Sequence, residues 1–374
     1  MRVQLVDPSA FTPPYDHALA AALVRAGAEV ELVTSRFLYG LVPQPSGYEV
    51  SESFYRRSAA RGLDARGRRA FKLAEHVPDM LRFRRAARPD VVHYQWLTVP
   101  GLDAVLLPPT RPRVLTAHYV LAPRPSRRQV ATAKRLFGRM DAVIAHSRHG
   151  VRRLQQEVGL DPARVEVIPH GAFDYLTRLE HEEPLPGELR EVEGPVILFF
   201  GLLRPYKGID VLLKAFRSVH GAELWVVGNP RMPVEPLRRL AAEVPGTVRF
   251  VPRFVTDPEI PAYFRRADLV VAPYRDVEQS GVVYTALAFG KPMVLSAVGG
   301  FPELAHDHGA ARIVAPGDPA ALAQALGELV GDEAARAELA AAAQRAADGP
   351  FSWERIAAQT MALYESLRVA AERG

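Results

Sequence analysis

The sequence predicts an α/β protein of two domains, each a parallel sheet flanked by helices. At 374 residues the chain exceeds one ordinary core, and two domains of roughly 150 to 200 residues are expected. Short Val- and Leu-rich runs alternate with amphipathic segments through both halves, the pattern of strands buried on both faces and joined by crossover helices. An acidic, proline-containing stretch, RLEHEEPLPGELREVEGP at 178–195, separates the halves and reads as a linker. The expected domains are residues 1–178 and 195–350, with a closing helix, 353–374, packing back on the first.

In the first half, residues 2–7 form a first strand, 8–14 its loop, Tyr15 to Gly27 an amphipathic helix ended by glycine, and Glu29 to Thr34 a second strand. Residues 51–89 read as helical and very basic: Arg56, Arg57, Arg61, Arg66, Arg68, Arg69, Lys72, Arg82, Arg84, Arg85 and Arg88 are interleaved with Phe54, Tyr55, Phe71, Leu81 and Phe83. A second basic stretch runs from Arg124 to Arg139 without an acid. Further strands fall at Val91 to His93, Val114 to Thr116, Ala142 to Ala145 and Val165 to Ile168. They end at His93, His118, His146 and His170, so one sheet rim gathers four histidines. No metal-ligand spacing accompanies them.

The second half repeats the pattern: strand Val196 to Phe200, the loop GLLRPYKG, helix Asp210 to Val219, strand Leu224 to Val227, helix Val234 to Glu243, strand Val248 to Val251 and helix Pro258 to Ala267. Then Leu269 to Ala272 form a strand closed by Pro273, and a polar loop leads to Ser280 and Gly281, good N-cap residues for Val282 to Phe289. Gly290, Lys291 and Pro292 stop that helix before the strand Met293 to Ala297 and the glycine-rich Gly299, Gly300 and Pro302. A helix start on the carboxyl rim of a parallel sheet suits a phosphate-bearing ligand.

Composition narrows the chemistry. No cysteine is present, which excludes disulfides, thiolate metal sites and cysteine nucleophiles. There is no G-x-G, so the dinucleotide fingerprint is absent, and no P-loop. No apolar run nears the roughly 20 residues of a membrane span and the N-terminus lacks a signal-peptide core, so a cytoplasmic protein is expected. The net charge of +5 is uneven: residues 1–178 hold 27 Lys+Arg against 16 Asp+Glu (+11), leaving 20 against 26 (−6). That basic half, with its aromatics, suits peripheral contact with the inner face of an anionic membrane and carries no nucleic-acid module. Only five of the basic residues are Lys, and Lys207 and Lys291 sit beside turns, where a compact ammonium has a use that a planar guanidinium lacks.

The sequence resembles the retaining glycosyltransferases of family 4, which have the GT-B architecture of two facing Rossmann-like domains and an interdomain cleft. The matching segments are FFGLLRPYKGIDVLLKAF at 199–216, VVG at 226–228, ADLVVAPY at 267–274, EQSGVVYTALAFGKPMV at 278–294, GGFPEL at 299–304 and FSWERIAAQTMALYESL at 351–367, with TAH at 116–118 and VIPHGAF at 167–173. The resemblance implies a nucleotide-sugar donor as co-substrate, no cofactor and no metal, and an acceptor that is a sugar, a lipid-linked molecule or a small molecule. It implies catalytic roles for His118, Arg204, Lys207 and Glu278. Donor contacts would come from Gly201, Arg253, Phe254, Val255, Tyr274, Ser280, Thr285 and the amides of Gly281, Val282 and Val283. His17, His93, His146 and His170 would lie on the acceptor side. The residue types fit the chemistry, because fixed cations and amides stabilise the charge that develops on a diphosphate leaving group.

One departure concerns the ribose. The family's second glutamate falls by count on Thr285 or Ala286, neither a carboxylate. The rival readings are an inverting transferase with His17 as base, a nucleotide-sugar epimerase, and a non-catalytic sugar-nucleotide binding protein.

Overall fold

The computed structural model describes residues 1–60, 65–122 and 124–373. Arg61 of the basic stretch lies outside them. The chain divides into two compact units, Met1–His170 with Trp353–Gly374, and Gly171–Ser352. Each holds one wholly parallel sheet.

In the first unit the strands are β1 (Arg2–Asp7), β2 (Glu29–Ser35), β3 (Glu49–Phe54), β4 (Val91–Tyr94), β5 (Arg113–Thr116), β6 (Ala142–Ala145) and β7 (Val165–Val167), in the order β3-β2-β1-β4-β5-β6-β7. In register, Leu5 of β1 lies between Leu32 and His93. Every residue of β4, β5 and β6 is buried, as central parallel strands require. The helix Pro13–Arg25 begins two residues ahead of the apolar periodicity, because Pro13 and Pro14 suit a first turn whose N–H groups have no partner. The last helix, Trp353–Arg373, belongs to this unit; its Glu354 pairs with Arg25 at 2.8 Å and its Tyr364 is fully buried.

Two expectations fail here. Residues 51–54 are the end of the edge strand β3, not helix, and an edge position tolerates the polar residues that masked it. The helices Arg56–Ala60 and Ala65–Ala86 follow only after Tyr55, whose φ of +51° breaks the chain direction. The aromatic residues among the arginines also face inward: Phe54, Tyr55 and Phe83 are core, packed in one cluster with Met80 and Tyr94. Phe71 is only half-buried, and Leu73 is exposed among the charged residues of that surface.

In the second unit the strands are β8 (Val196–Phe200), β9 (Glu223–Val227), β10 (Val248–Val251), β11 (Leu269–Ala272), β12 (Met293–Ser296) and β13 (Arg312–Val314), in the order β10-β9-β8-β11-β12-β13. Gly171 to Arg178, grouped above with the first half, pack in this unit: Leu176 is buried and the Phe173 amide donates to the Tyr284 carbonyl. Beyond Gly299 the structure adds the helices Phe301–His308, Pro319–Gly331 and Glu333–Asp348. No described helix is long and apolar enough to cross a membrane.

Candidate functional site

In a doubly wound sheet, ligands bind at the carboxyl rim where the strand order reverses. That point lies between β1 and β4 in the first unit and between β8 and β11 in the second. Most of the expected residues gather at these two places.

In the second unit three loops converge behind β8. Gly201 has φ +105°, and a Cβ there would lie 3.0 Å from Lys207 Nζ and 3.1 Å from Val282 Cγ2. Gly228, after β9, has φ +142° and approaches so closely that a Cβ would fall 1.9 Å from the Gly201 carbonyl oxygen. Lys207 closes the short 3-10 turn Pro205–Lys207; its side chain is buried, with Nζ 4.9 Å above the Tyr274 ring. No carboxylate pairs with it among the described residues. A buried ammonium held by a cation–π contact alone is a cation poised for an anion. Arg204 is exposed and likewise has no ion-pair partner among them.

The helix Gly281–Ala288 points its start at the same rim. Val283, expected as one of three amide donors, already donates to the Ser280 carbonyl at 3.0 Å, so the amides of Gly281 and Val282 are the two left over. Ser280 does not cap with its hydroxyl, which lies 3.2 Å from the Tyr274 hydroxyl. Glu278 is half-buried on the preceding loop, and its carbonyl accepts the Gly300 amide at 3.3 Å. Gly299, φ +56°, lets these loops touch, since a Cβ there would sit 2.1 Å from the Val277 carbonyl oxygen.

Two expected contacts, Thr285 and Arg253, turn their side chains elsewhere. Thr285 is buried and its hydroxyl donates back to the Gly281 carbonyl at 2.9 Å. Ala286, the other count for the missing glutamate, is fully buried. The Arg253 guanidinium donates to Glu259 at 2.5 Å and to the Phe254 carbonyl at 3.0 Å, which pulls the Glu259 carboxyl down to about 2. Arg253 thus braces its own loop, leaving half-exposed Phe254 and the backbone there as the free surface; Val255 is buried. Lys291, the other lysine singled out, donates to the Arg265 carbonyl at 3.0 Å and closes a helix end. Sequence reasoning missed Arg275, which forks onto Asp210 at 2.9 and 2.6 Å and ties the loop after β11 to the helix Ile209–Phe216.

In the first unit His118, His146 and His170 surround the buried ring of Tyr15, at centroid distances of 4.7, 5.5 and 4.8 Å, with Trp353 at 5.2 Å. Trp96 stacks on His118 at 5.1 Å and 11°. His93 lies within β4, completely buried, joined to the others through Gln95. Burial pushes His93 down to about 3 and His146 to about 4, and His118 well below the usual histidine range. His118 and Gln95 border an apolar cavity of about 440 Å³ walled by Leu115, Val120, Leu121 and Phe137. His17 faces a different cavity of about 420 Å³, with Asp16, Ser35 and Glu52. Its Nδ1 lies 2.7 Å from the Tyr48 hydroxyl, and burial lowers it to about 4, which weakens it as a base at neutral pH.

Two buried polar groups here had no sequence signal. Asp7 accepts the amides of Ser9, Phe11 and Thr12, fixing the loop after β1, and the neighbouring Asp16 carboxyl is pushed well up by burial and by Asp7. Tyr55, His76 and Asp103 form a buried chain at 2.7 and 2.6 Å. Among the described residues no group of three or more His, Cys, Asp or Glu is arranged to hold a metal ion.

Comparison with known proteins gives two family matches. The family described as glycosyl transferases group 1 matches residues 194–332, and that described as glycosyltransferase family 4 matches residues 15–172. A D-inositol 3-phosphate glycosyltransferase of Jonesia denitrificans is 28% identical over 94% of this chain and 90% of its own length. That of Salinispora tropica is 28% identical over 75% of this chain, and the match spans 64% of the relative. Among solved structures, sucrose-phosphate synthase from Thermosynechococcus elongatus superposes with TM-score 0.75 at 19% identity, covering 99% of this chain and 100% of that one. Anabaena HepE in complex with UDP-glucose superposes with TM-score 0.72 at 21% identity, covering 98% and 100%. These likenesses establish the fold as the two Rossmann-like domains of the GT-B class.

Proposed function

The chain belongs to the group 1 glycosyltransferases, and on that premise we propose that it moves a glycosyl unit from a nucleotide-sugar donor to an acceptor hydroxyl with retention of configuration and without a metal ion. The observation that carries the reading is the buried, unpaired Lys207 ammonium beside Gly201 and the two free amides at the start of the helix Gly281–Ala288. As the bond from the anomeric carbon to the diphosphate breaks, negative charge grows on the leaving oxygens. Lys207, Arg204 and the amides of Gly281 and Val282 would stabilise it, doing the work a divalent ion does elsewhere. Gly201 and Gly228 lack side chains that would crowd the phosphates. Glu278 is assigned to the donor sugar and the backbone around Phe254 to the base, with a uridine or guanosine diphosphate sugar as the donor class. UDP-glucose, seen bound to HepE, is the first to try.

The first unit is assigned the acceptor, with His118 as its principal contact. The relatives named for inositol 3-phosphate make a phosphorylated cyclitol or sugar the first acceptor to test. A membrane-proximal acceptor is the second, favoured by the exposed arginines of the helices Arg56–Ala60 and Ala65–Ala86. The decisive assay follows donor and product by proton NMR in excess EDTA. A product with the donor's anomeric configuration is expected. An inverted product would transfer the argument to a base-catalysed route, and loss of activity restored by magnesium would defeat the metal-free reading.

A further inference from the structure

We infer that Gln95 is a positioning residue whose side-chain amide selects which nitrogen of His118 carries a proton. It follows from counting donors and acceptors along a chain of groups that runs from the Ile168 carbonyl to the Tyr364 hydroxyl.

The chain runs from the Ile168 carbonyl, 2.9 Å from His146 Nδ1, through His146 Nε2 and His118 Nδ1 at 3.3 Å, to His118 Nε2 and the Gln95 amide at 3.1 Å. It continues from Gln95 to His93 Nε2 at 3.3 Å, which Thr116 Oγ1 also meets at 2.7 Å, and ends with His93 Nδ1 at 2.6 Å from the Tyr364 hydroxyl. A carbonyl only accepts, so His146 Nδ1 must carry a hydrogen. If the Gln95 oxygen faces His118, then His118 Nε2 donates and its Nδ1 is bare. His146 Nε2 must then donate as well, which makes His146 a buried imidazolium. If the amide is turned over, its nitrogen donates to His118 Nε2, and His118 Nδ1 donates to His146 Nε2. The Gln95 oxygen then accepts from His93 Nε2, and Tyr364 donates to His93 Nδ1. Every group is satisfied and every ring is neutral. The two arrangements differ by one proton, and the oxygen and nitrogen of an amide are told apart by such partners alone.

The surroundings choose the neutral arrangement. The groups facing the pair are Tyr15 of the helix Pro13–Arg25, Trp96 after β4, His93 of β4 and His170 after β7, and behind them Trp353 packs on Tyr15 and Tyr364 on His93. Among the described residues no carboxylate acts on His118 or His146, so none of them offsets a buried positive charge there. Burial drives both rings toward neutrality. Both His118 nitrogens are then occupied from within the protein, Nδ1 by His146 and Nε2 by Gln95. Neither is free to take a proton from an acceptor, so His118 can meet a substrate only through its ring carbons and does not act as a general base. For the reaction, this rests on the glycosyl-transfer reading above.

The test is nitrogen NMR of the full chain labelled in histidine, whose ring shifts separate the two neutral tautomers and the cation. At pH 7 the wild type should show His118 and His146 neutral, each with hydrogen on Nδ1. A neutral His118 with hydrogen on Nε2 would overturn the inference, and that measurement needs no variant. In Gln95→Glu the carboxylate accepts only, so the His118–His146 pair should hold an extra proton at pH 7 and titrate at least about one pH unit higher. Turnover should fall about tenfold at pH 7, with the loss shrinking as pH rises. A residue that merely supported the fold would lower thermal stability without moving the histidine shifts or the pH profile, and that outcome also overturns the inference. If the wild type transfers no sugar, the functional reading fails while the spectra still decide the proton assignment.

Discussion

At the residue scale the reading turns on Lys207. Lys207→Ala should lower turnover by order 100-fold, as loss of one preorganised donor to a developing anion does, while leaving the thermal midpoint nearly unchanged. Lys207→Arg should be impaired too, because the ammonium sits where a single added carbon on Gly201 would be only 3.0 Å away and a planar fork has no room. Steady-state kinetics beside a melting curve checks both. Thr285→Glu is expected to destabilise rather than restore a ribose contact: the site is buried, its hydroxyl is turned onto the Gly281 carbonyl, and an unpaired carboxylate there costs several kcal/mol. Unchanged stability with tighter donor binding would refute that. Lys207 and Arg204 were singled out by residue type and motif, since a lysine in an arginine-rich chain stands out, and the structure adds that Lys207 is buried without a carboxylate partner among the described residues. The roles of Arg253 and Lys291 were not, because only the fold shows that Glu259 and the Arg265 carbonyl already occupy them. Gln95 was invisible because its two side-chain partners, His93 and His118, and His146 beyond them, come together only in the fold.

At the element scale, loops are held in place by glycines that cannot be replaced. A Cβ at Gly208, φ +69°, would fall 2.0 Å from the Pro273 carbonyl oxygen, and one at Gly228 would fall 1.9 Å from that of Gly201. Either alanine variant should lose about 1 to 3 kcal/mol or more on denaturant unfolding, and donor affinity should fall with it. A wild-type unfolding midpoint in both would show that the loops are not locked together. The histidine-bearing rim of the first unit makes a separate prediction. His17, His93 and His146 are lowered to about 4, 3 and 4 in the folded state, against about 6.5 when unfolded. The unfolded chain therefore binds more protons below pH 6.5, so stability is complete above that value and is lost as pH falls toward 4. Melting scans from pH 7 to 4 should show a steady decline, shallower in His93→Gln. The central strands of both sheets were readable because buried parallel strands are short Val-rich runs, whereas the three-residue edge strand β13 (Arg312–Val314) went unread because it is too short to form one. β3 went unread too, since an edge strand written EVSESF carries no such run.

At the scale of the whole molecule, two family matches and two parallel sheets agree with the α/β fold class that the strand–helix alternation suggested. The inward-facing Phe54, Tyr55 and Phe83 change the expected form of any membrane contact. With those aromatics in the core, attraction to anionic vesicles should rest chiefly on exposed arginines, with Leu73 the one large exposed apolar side chain described on the helix Ala65–Ala86. It should vanish within a few hundred millimolar salt and on charge reversal of Arg56, Arg57, Arg68 and Arg69. Vesicle co-sedimentation at low and high salt measures this, and no binding at low salt would leave a soluble acceptor as the better assignment. The central claim, that the second unit holds a nucleoside diphosphate sugar against Lys207 and the start of the helix Gly281–Ala288, is tested most directly by calorimetric titration of wild type and Lys207→Ala with UDP-glucose and a guanosine diphosphate sugar in EDTA. One donor should bind the wild type and bind the folded variant at least about tenfold more weakly, as loss of a charge-assisted contact to phosphate requires. Equal affinity in the two proteins, or no binding of either donor to the wild type, would contradict it.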